Sequence, residues 1–311
     1  MKLIYFICLL ILAYGITIFL ISRETYKNDV VLLSMLKNDV NFGDAVSDIF
    51  FSKLSDKKIK AVDINYGKDS YLTTGSILRL CNKNHTVIGS GFISDDDDLG
   101  KGDWKTYTNK VYNVPKKILS VRGPKTRAKL KAMGVDCPES YGDPLTIFPL
   151  VYKKKMSIKY KIGIIPHYVD QESTTMKELV DKLGKDNVKI INIKTGKNFE
   201  NFIDSINECD TLIVSTLHGL IISLAYLKPV IWVQFSKKLI GDTFKFEDFF
   251  GSLGINYNLL AYDDPNLLNN TIKVEKTNLY KLGENIINVC PFIEKNRKNL
   301  LKNMWSTHVY N

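Results

Sequence analysis

The chain has 311 residues, 45% of them hydrophobic and 24% charged, which describes a globular protein and excludes a disordered or fibrous one. That length holds two domains of ordinary size. The formal net charge of +10 favours anionic partners such as phosphates, acidic glycans or membrane surfaces, while scattered lysines without an RNP, zinc-finger or helix-turn-helix pattern argue against nucleic acid.

At the amino terminus, residues 3–21 carry no charge, and about 20 apolar residues suffice to cross a bilayer as a helix. The run exceeds a signal-peptide core and lacks a small-x-small cleavage site. A single-pass membrane anchor is therefore expected. Lys2 precedes it, and Arg23 and Lys27 after it are offset by Glu24 and Asp29. This favours a type II orientation, in a Golgi-like lumen or a bacterial inner membrane. A cleaved signal sequence or the reverse orientation is the alternative. Residues 1–27 are read as tip, anchor and stem. Asn84-His85-Thr86 and Asn269-Asn270-Thr271 fit the glycosylation triplet, which matters only for a lumenal body.

Residues 28–152 read as a Rossmann-like domain. A strand from Val30 leads to Asn41-Phe42-Gly43-Asp44, where glycine permits a tight turn and Asp or Asn caps the next helix. A strand from His85 ends in Gly89-Ser90-Gly91, which would let backbone approach a phosphate or sugar. A further strand at 118–122 runs into Ser120-Val-Arg122-Gly123-Pro-Lys125-Thr126. There a guanidinium fork and a proline-started helix at 124–133 face one place, although a plain surface arginine is the alternative. Tyr141-Gly-Asp143-Pro follows. Asp95 to Asp98 contains a DxD pattern, but four adjacent carboxylates are usually solvated, and no metal is expected.

Lysine-rich 153–160 is a linker, and the pattern restarts at 161–278. A strand ends at Pro166-His167, a helix covers 175–183, a strand 188–193 and a helix 199–206. Then comes the most informative run, 211–233. An apolar strand ends at Ser215-Thr216, His218-Gly219 opens an apolar helix, and Lys228-Pro229 leads to a second strand. This βαβ unit puts His218 at a helix N-terminus beyond the carboxyl end of a strand, where open α/β sheets bind anions. Alternation of this kind indicates parallel sheets, hence two Rossmann-like domains facing a cleft. A helical segment, 279–311, is expected to pack back on the first domain. The five cysteines form no CxxC or metal spacing, and no disulfide framework is expected in a chain this long.

In this order, NFGD, GSG, SVRGPKT, YGDP, IPH and STLHG resemble the polysaccharide pyruvyl transferase family, most closely its succinoglycan ketal-pyruvyl transferase branch, over roughly 41–233. The resemblance implies a GT-B-like fold. It also implies transfer of an enolpyruvyl-derived group from phosphoenolpyruvate, a co-substrate with no further cofactor, onto sugar hydroxyls of a glycan as a pyruvate ketal. Carried over residue by residue, His218, His167 and Arg122 are catalytic candidates. Asn41, Gly43, Asp44, Gly89, Ser90, Gly91, Gly123, Lys125, Asp143, Ser215, Thr216 and Gly219 are substrate-binding candidates. Many relatives have arginine two residues before the histidine, where this chain has Thr216; the succinoglycan-type branch often lacks it.

The donor's phosphate and carboxylate require cations and helix N-termini, a role for Arg122, Lys125 and the amides after His218. An imidazole titrating near pH 6.5 can protonate the donor's methylene or deprotonate the sugar hydroxyl. His218 is the acid/base candidate, and His167 orients the donor or shares the proton. Asp143 or Asp44 either accepts the hydroxyl's hydrogen bond or holds a turn. Two other readings compete: a GT-B nucleotide-sugar glycosyltransferase, which would bind UDP or GDP, and a non-catalytic glycan-binding protein. Neither the acceptor sugar nor the oligomeric state has a sequence signature.

Overall fold

Short β-branched runs separated by amphipathic helices give two all-parallel sheets. The structure, a computed structural model, describes residues 30–36, 41–96, 113–153 and 157–311. In the first half, β1 (Val30–Met35) is followed by a single turn α1 (Phe42–Ala45) and α2 (Ser47–Leu54). Then come β2 (Lys58–Asp63), β3 (Ser70–Leu72), β4 (His85–Ile88), β5 (Lys117–Ser120) and α3 (Pro124–Ala132). The sheet order is β2-β1-β3-β4-β5, with Val30 beside Lys58 and Leu33 beside Tyr71.

The second half runs β6 (Tyr160–Ile165), α4 (Thr174–Leu183), β7 (Val188–Ile190), α5 (Phe199–Asn207), β8 (Cys209–Val214), α6 (Leu217–Ala225) and β9 (Val230–Trp232). Its order is β7-β6-β8-β9. Both halves therefore reverse direction between their first and third strands, at β1/β3 and at β6/β8. Open α/β sheets leave a crevice beyond the carboxyl ends of strands at such a switch point.

Sequence pattern did not disclose β2 and β3. The first is a mostly exposed edge strand whose Lys58 and Lys60 protect the edge from further pairing. The second has only three residues, too few to show a period.

The two halves share a core. Val31, Leu33 and Phe50 belong to the same buried cluster as Phe202, Leu212 and Leu220. Phe42 sits at the join, its ring 4.4 Å from that of Phe202 and 5.6 Å from that of Phe148. The Phe42 amide donates to the Ile193 carbonyl at 2.9 Å, and Asn41 bridges Lys194 in antiparallel fashion. The Asn41–Asp44 turn is thus clamped against the second sheet.

Three more helices complete the chain: α7 (Phe244–Ser252), α8 (Lys276–Val289) and α9 (Lys295–Tyr310). The last two are anchored to the first half. Ser55 Oγ donates to the Phe292 carbonyl at 2.9 Å, Arg297 Nε to Leu54 at 3.2 Å, and Asn285 Nδ2 to Tyr141 at 2.7 Å. Cys81, Cys137, Cys209 and Cys290 are free and buried.

The expected membrane anchor and membrane localisation need correction. Among the described residues no helix is long and apolar enough to cross a membrane. The longest of those helices, 16 residues from Lys295 to Tyr310, spans roughly 24 Å at 1.5 Å per residue, against about 30 Å of hydrocarbon. It is also rich in Lys and Asn. The uncharged segment 3–21 lies outside the described residues, which form two parallel α/β sheets and hold no membrane-spanning helix.

Candidate functional site

Both switch points open onto one cleft of about 390 Å³. After β1 come Leu36, Asn41 and Asp44; after β3, Ser76, Ile77 and Arg79. The second sheet contributes His167 and Tyr168 after β6, Lys194 after β7, and Thr216, Leu217 and His218 after β8. Lys245, from the first turn of α7, closes one side. A larger groove, about 630 Å³, runs along edge strand β7 but contains no histidine and none of the motif residues assigned to the site.

His218 is the second residue of α6, and that helix starts where it does because Thr216 caps it. Thr216 Oγ1 accepts the Gly219 amide at 3.0 Å. The imidazole is only 7% exposed. On one face it meets the backbone of Gly43, where an added Cβ would fall 1.9 Å from Nδ1. On another edge, Nε2 faces Asp143 Oδ2 at 4.0 Å.

Asp143 is fully buried; its Oδ1 accepts the Leu145 amide at 3.0 Å, which caps the turn Pro144–Leu150. Among the described residues, Asp143 Oδ2 and His218 Nε2 each lack a hydrogen-bond partner. Burial pushes the Asp143 carboxyl up to about 6. Burial, with the charges of Lys245 and Arg122, pushes His218 down to about 3. His218 is therefore neutral at neutral pH, with a carboxyl behind it.

His167 is half-buried at the end of β6. Its backbone amide donates to Ser215 Oγ at 2.7 Å, and its Nδ1 accepts the Val169 amide at 3.4 Å. Burial, then Lys245 and Lys194, push its ring down to about 4.

Both histidines take up a proton more readily unfolded than folded. Their contribution to stability is present above the ordinary histidine value of about 6.5 and is lost as pH falls toward 4 and then 3. Asp143 acts in the opposite sense, costing stability as pH rises through about 6. The two histidine shifts outweigh the single carboxyl shift. The denaturation midpoint is expected to fall on going from pH 7 to pH 4, with a shallower fall in His218→Gln. Equal slopes in the two proteins would show that His218 is not the group responsible.

Gly43 gives a sharper expectation. Its φ is unremarkable, so Ala is strained there only by the ring it meets. Gly43→Ala must move either the turn or the imidazole, and displacement of a reacting group by about 1 Å costs on the order of 100-fold in rate. The measurement is kcat beside thermal stability. A kcat within about twofold of the parent's would mean that the turn yields and the ring stays put.

Several expected site residues lie outside the cleft lining and have partners within the fold. Arg122 is fully buried and each of its three nitrogens donates: Nε to Asp248 Oδ2 at 2.9 Å, Nη1 to Ser76 Oγ at 2.7 Å and Nη2 to the Phe92 carbonyl at 2.5 Å. It touches the cleft only through Ser76. Gly91 makes room for it, since a Cβ there would lie 2.6 Å from the guanidinium carbon. Gly123 clears the Asp248 carbonyl, and Gly89, at φ +80°, clears the Gly142 carbonyl. Ser90 Oγ donates to Gly75.

Lys125 pairs with Glu247 at 2.5 Å and lies over the Phe244 ring, away from the cleft lining. Ser215 is spent on the His167 amide, and Gly219 on its cap. Asn41, Gly43, Asp44, His167, Thr216 and His218 do converge, with Asp143 directly behind. Ser76, Arg79, Tyr168, Lys194 and Lys245 join them without having been singled out in the sequence. For Lys245 a signal existed: in Phe244-Lys-Phe-Glu-Asp248-Phe-Phe, Lys245 and Asp248 share one face of an otherwise aromatic helix, and both are buried. Of the acidic run, Asp97 and Asp98 lie outside the described residues.

Comparison with known proteins adds the following. A profile of the family described as polysaccharide pyruvyl transferase matches residues 12–236. An uncharacterized protein of Acanthamoeba polyphaga mimivirus is 31% identical over 241 residues, covering 75% of this chain and 78% of that protein. Two structures of the wall teichoic acid polymerase TagF align with 90% of this chain and 88% of theirs, at 12% and 10% identity and TM-scores of 0.40 and 0.37. At that distance the likeness says nothing about chemistry.

Proposed function

The chain belongs to the polysaccharide pyruvyl transferase family, and from that premise we propose that it moves the pyruvyl group of phosphoenolpyruvate onto two hydroxyls of one sugar in a glycan, forming a ketal. The observation carrying this reading is the cleft shared by both switch points, where buried His218 at a helix N-terminus stands among Lys245, Lys194 and Arg79. Membership alone makes it an enzyme that transfers a group onto polysaccharide; donor and product are the proposal.

In this reading a sugar hydroxyl adds to C2 of the donor while C3 takes a proton. A second hydroxyl of the same sugar then displaces phosphate from C2, closing the ketal and releasing inorganic phosphate. The neutral imidazole of His218 is in the form that accepts the attacking hydroxyl's proton. The imidazolium so formed lies beside the Asp143 carboxyl, which favours it, and can return the proton to carbon. His167 orients the donor, and Asn41, Asp44 and Thr216 offer polar contacts to the sugar. The amino end of α6 favours the donor's negative charge.

Titration calorimetry of the full chain tests the donor. Phosphoenolpyruvate is expected to bind, and UDP, GDP and their sugars are not. Tight binding of a nucleotide diphosphate with none of phosphoenolpyruvate would instead favour a nucleotide-sugar glycosyltransferase.

A further inference from the structure

The cations first expected to meet the donor are committed elsewhere. Arg122 is held by Asp248, Ser76 and Phe92, and Lys125 by Glu247. Lys245 differs from both. It lines the cleft, is only 7% exposed, and its ammonium makes no hydrogen bond or ion pair among the described residues. It lies over the Phe246 ring, 5.7 Å from the centroid. A largely buried lysine on the wall of a cleft gains from an anion that enters the cleft and pairs with its ammonium.

We propose that Lys245 is the cation that grips the phosphoryl group of the donor, in the cleft that the amino end of α6 also lines. This rests on the donor reading above and adds to it the group that holds the leaving phosphate. Neither other cation of the cleft matches this position. Lys194 is exposed and lies over the Tyr168 ring at 4.9 Å, and Arg79 is only partly buried. The chemistry is suited: phosphate departs as negative charge accumulates on it, and a fixed ammonium in a dry cleft is worth far more than one in water.

The groups facing Lys245 set its pH response. The charges of Arg122 and Asp44 act on it in opposite senses, its own charge acts on His167 and His218, and Arg79 and Lys194 line the same cleft. Burial first, then Arg122, hold its ammonium down to about 8, with Asp44 pulling the other way.

The test uses the full chain with phosphoenolpyruvate and inorganic phosphate as probes. Lys245→Met, which keeps length and loses charge, is expected to weaken binding of both roughly 10- to 100-fold at pH 7. Parental affinity should fall as pH rises through about 8. Lys245→Arg should hold its affinity at pH 9, because a guanidinium stays charged. Circular dichroism checks that both variants fold. Unchanged phosphoenolpyruvate binding in Lys245→Met overturns the role of Lys245 and leaves the donor reading standing. A parent that binds phosphate through Lys245 but not phosphoenolpyruvate overturns the donor reading and keeps Lys245 as a phosphoryl site. Binding of neither probe overturns the proposal.

Discussion

Replacing His218 with alanine is expected to lower kcat for ketal formation by roughly 10²- to 10⁴-fold, the range that a positioned acid or base supplies. Donor affinity should change far less, because the imidazole is neutral at working pH and holds no anion. Folding should survive the change. Nε2 has no hydrogen bond to lose, and removing a buried unsatisfied polar atom offsets part of the cavity left behind. Kinetics with saturating donor, run beside a thermal melt, separate these effects. A loss of activity that tracks a loss of fold would show His218 to be a core histidine that caps a buried helix.

The second large effect is on stability. Asp248 takes three hydrogen bonds within the fold: from Arg122 Nε at 2.9 Å, Thr126 Oγ1 at 2.7 Å and the Thr126 amide at 2.8 Å. It thereby neutralises a fully buried guanidinium and caps α3 from another helix. Asp248→Ala leaves Arg122 charged, buried and unpaired, which costs about 3–5 kcal/mol. That is a large share of the roughly 5–15 kcal/mol that holds a domain folded. Urea denaturation is the readout. A shift under about 1 kcal/mol would mean that water reaches the guanidinium and that the pair is not dry. The loss should also reach the cleft, because Arg122 Nη1 positions Ser76 Oγ.

Much of the site was legible from residue order, because a strand, a turn residue and a helix start leave marks a few residues apart. Thr216-Leu-His218-Gly219 after an apolar strand reads as a helix N-terminus beyond that strand's carboxyl end, and Asn41–Asp44 reads as a turn in the same way. Fate in three dimensions is a different matter. Arg122 and the glycines around it have the composition of an anion site. Yet the guanidinium is consumed by Asp248, 126 residues away, a pairing that no local pattern carries. For the same reason the charged pair Lys245 and Asp248 on an aromatic helix marked burial but not the cleft: that helix comes from beyond the last motif and reaches the site only through tertiary packing. The edge strand β2 escaped because exposed Lys58 and Lys60 break the apolar alternation by which strands are recognised.

One measurement bears most directly on the account. The full chain is incubated with phosphoenolpyruvate and a panel of galactosides, glucosides and N-acetylhexosaminides, and products are read by mass spectrometry beside inorganic phosphate release. The expected result is a sugar carrying the added mass of a pyruvate ketal, with one phosphate released per ketal, and both products formed at least about 100-fold more slowly by His218→Ala. No ketal on any sugar, together with sugar transfer from a nucleotide donor, would contradict it.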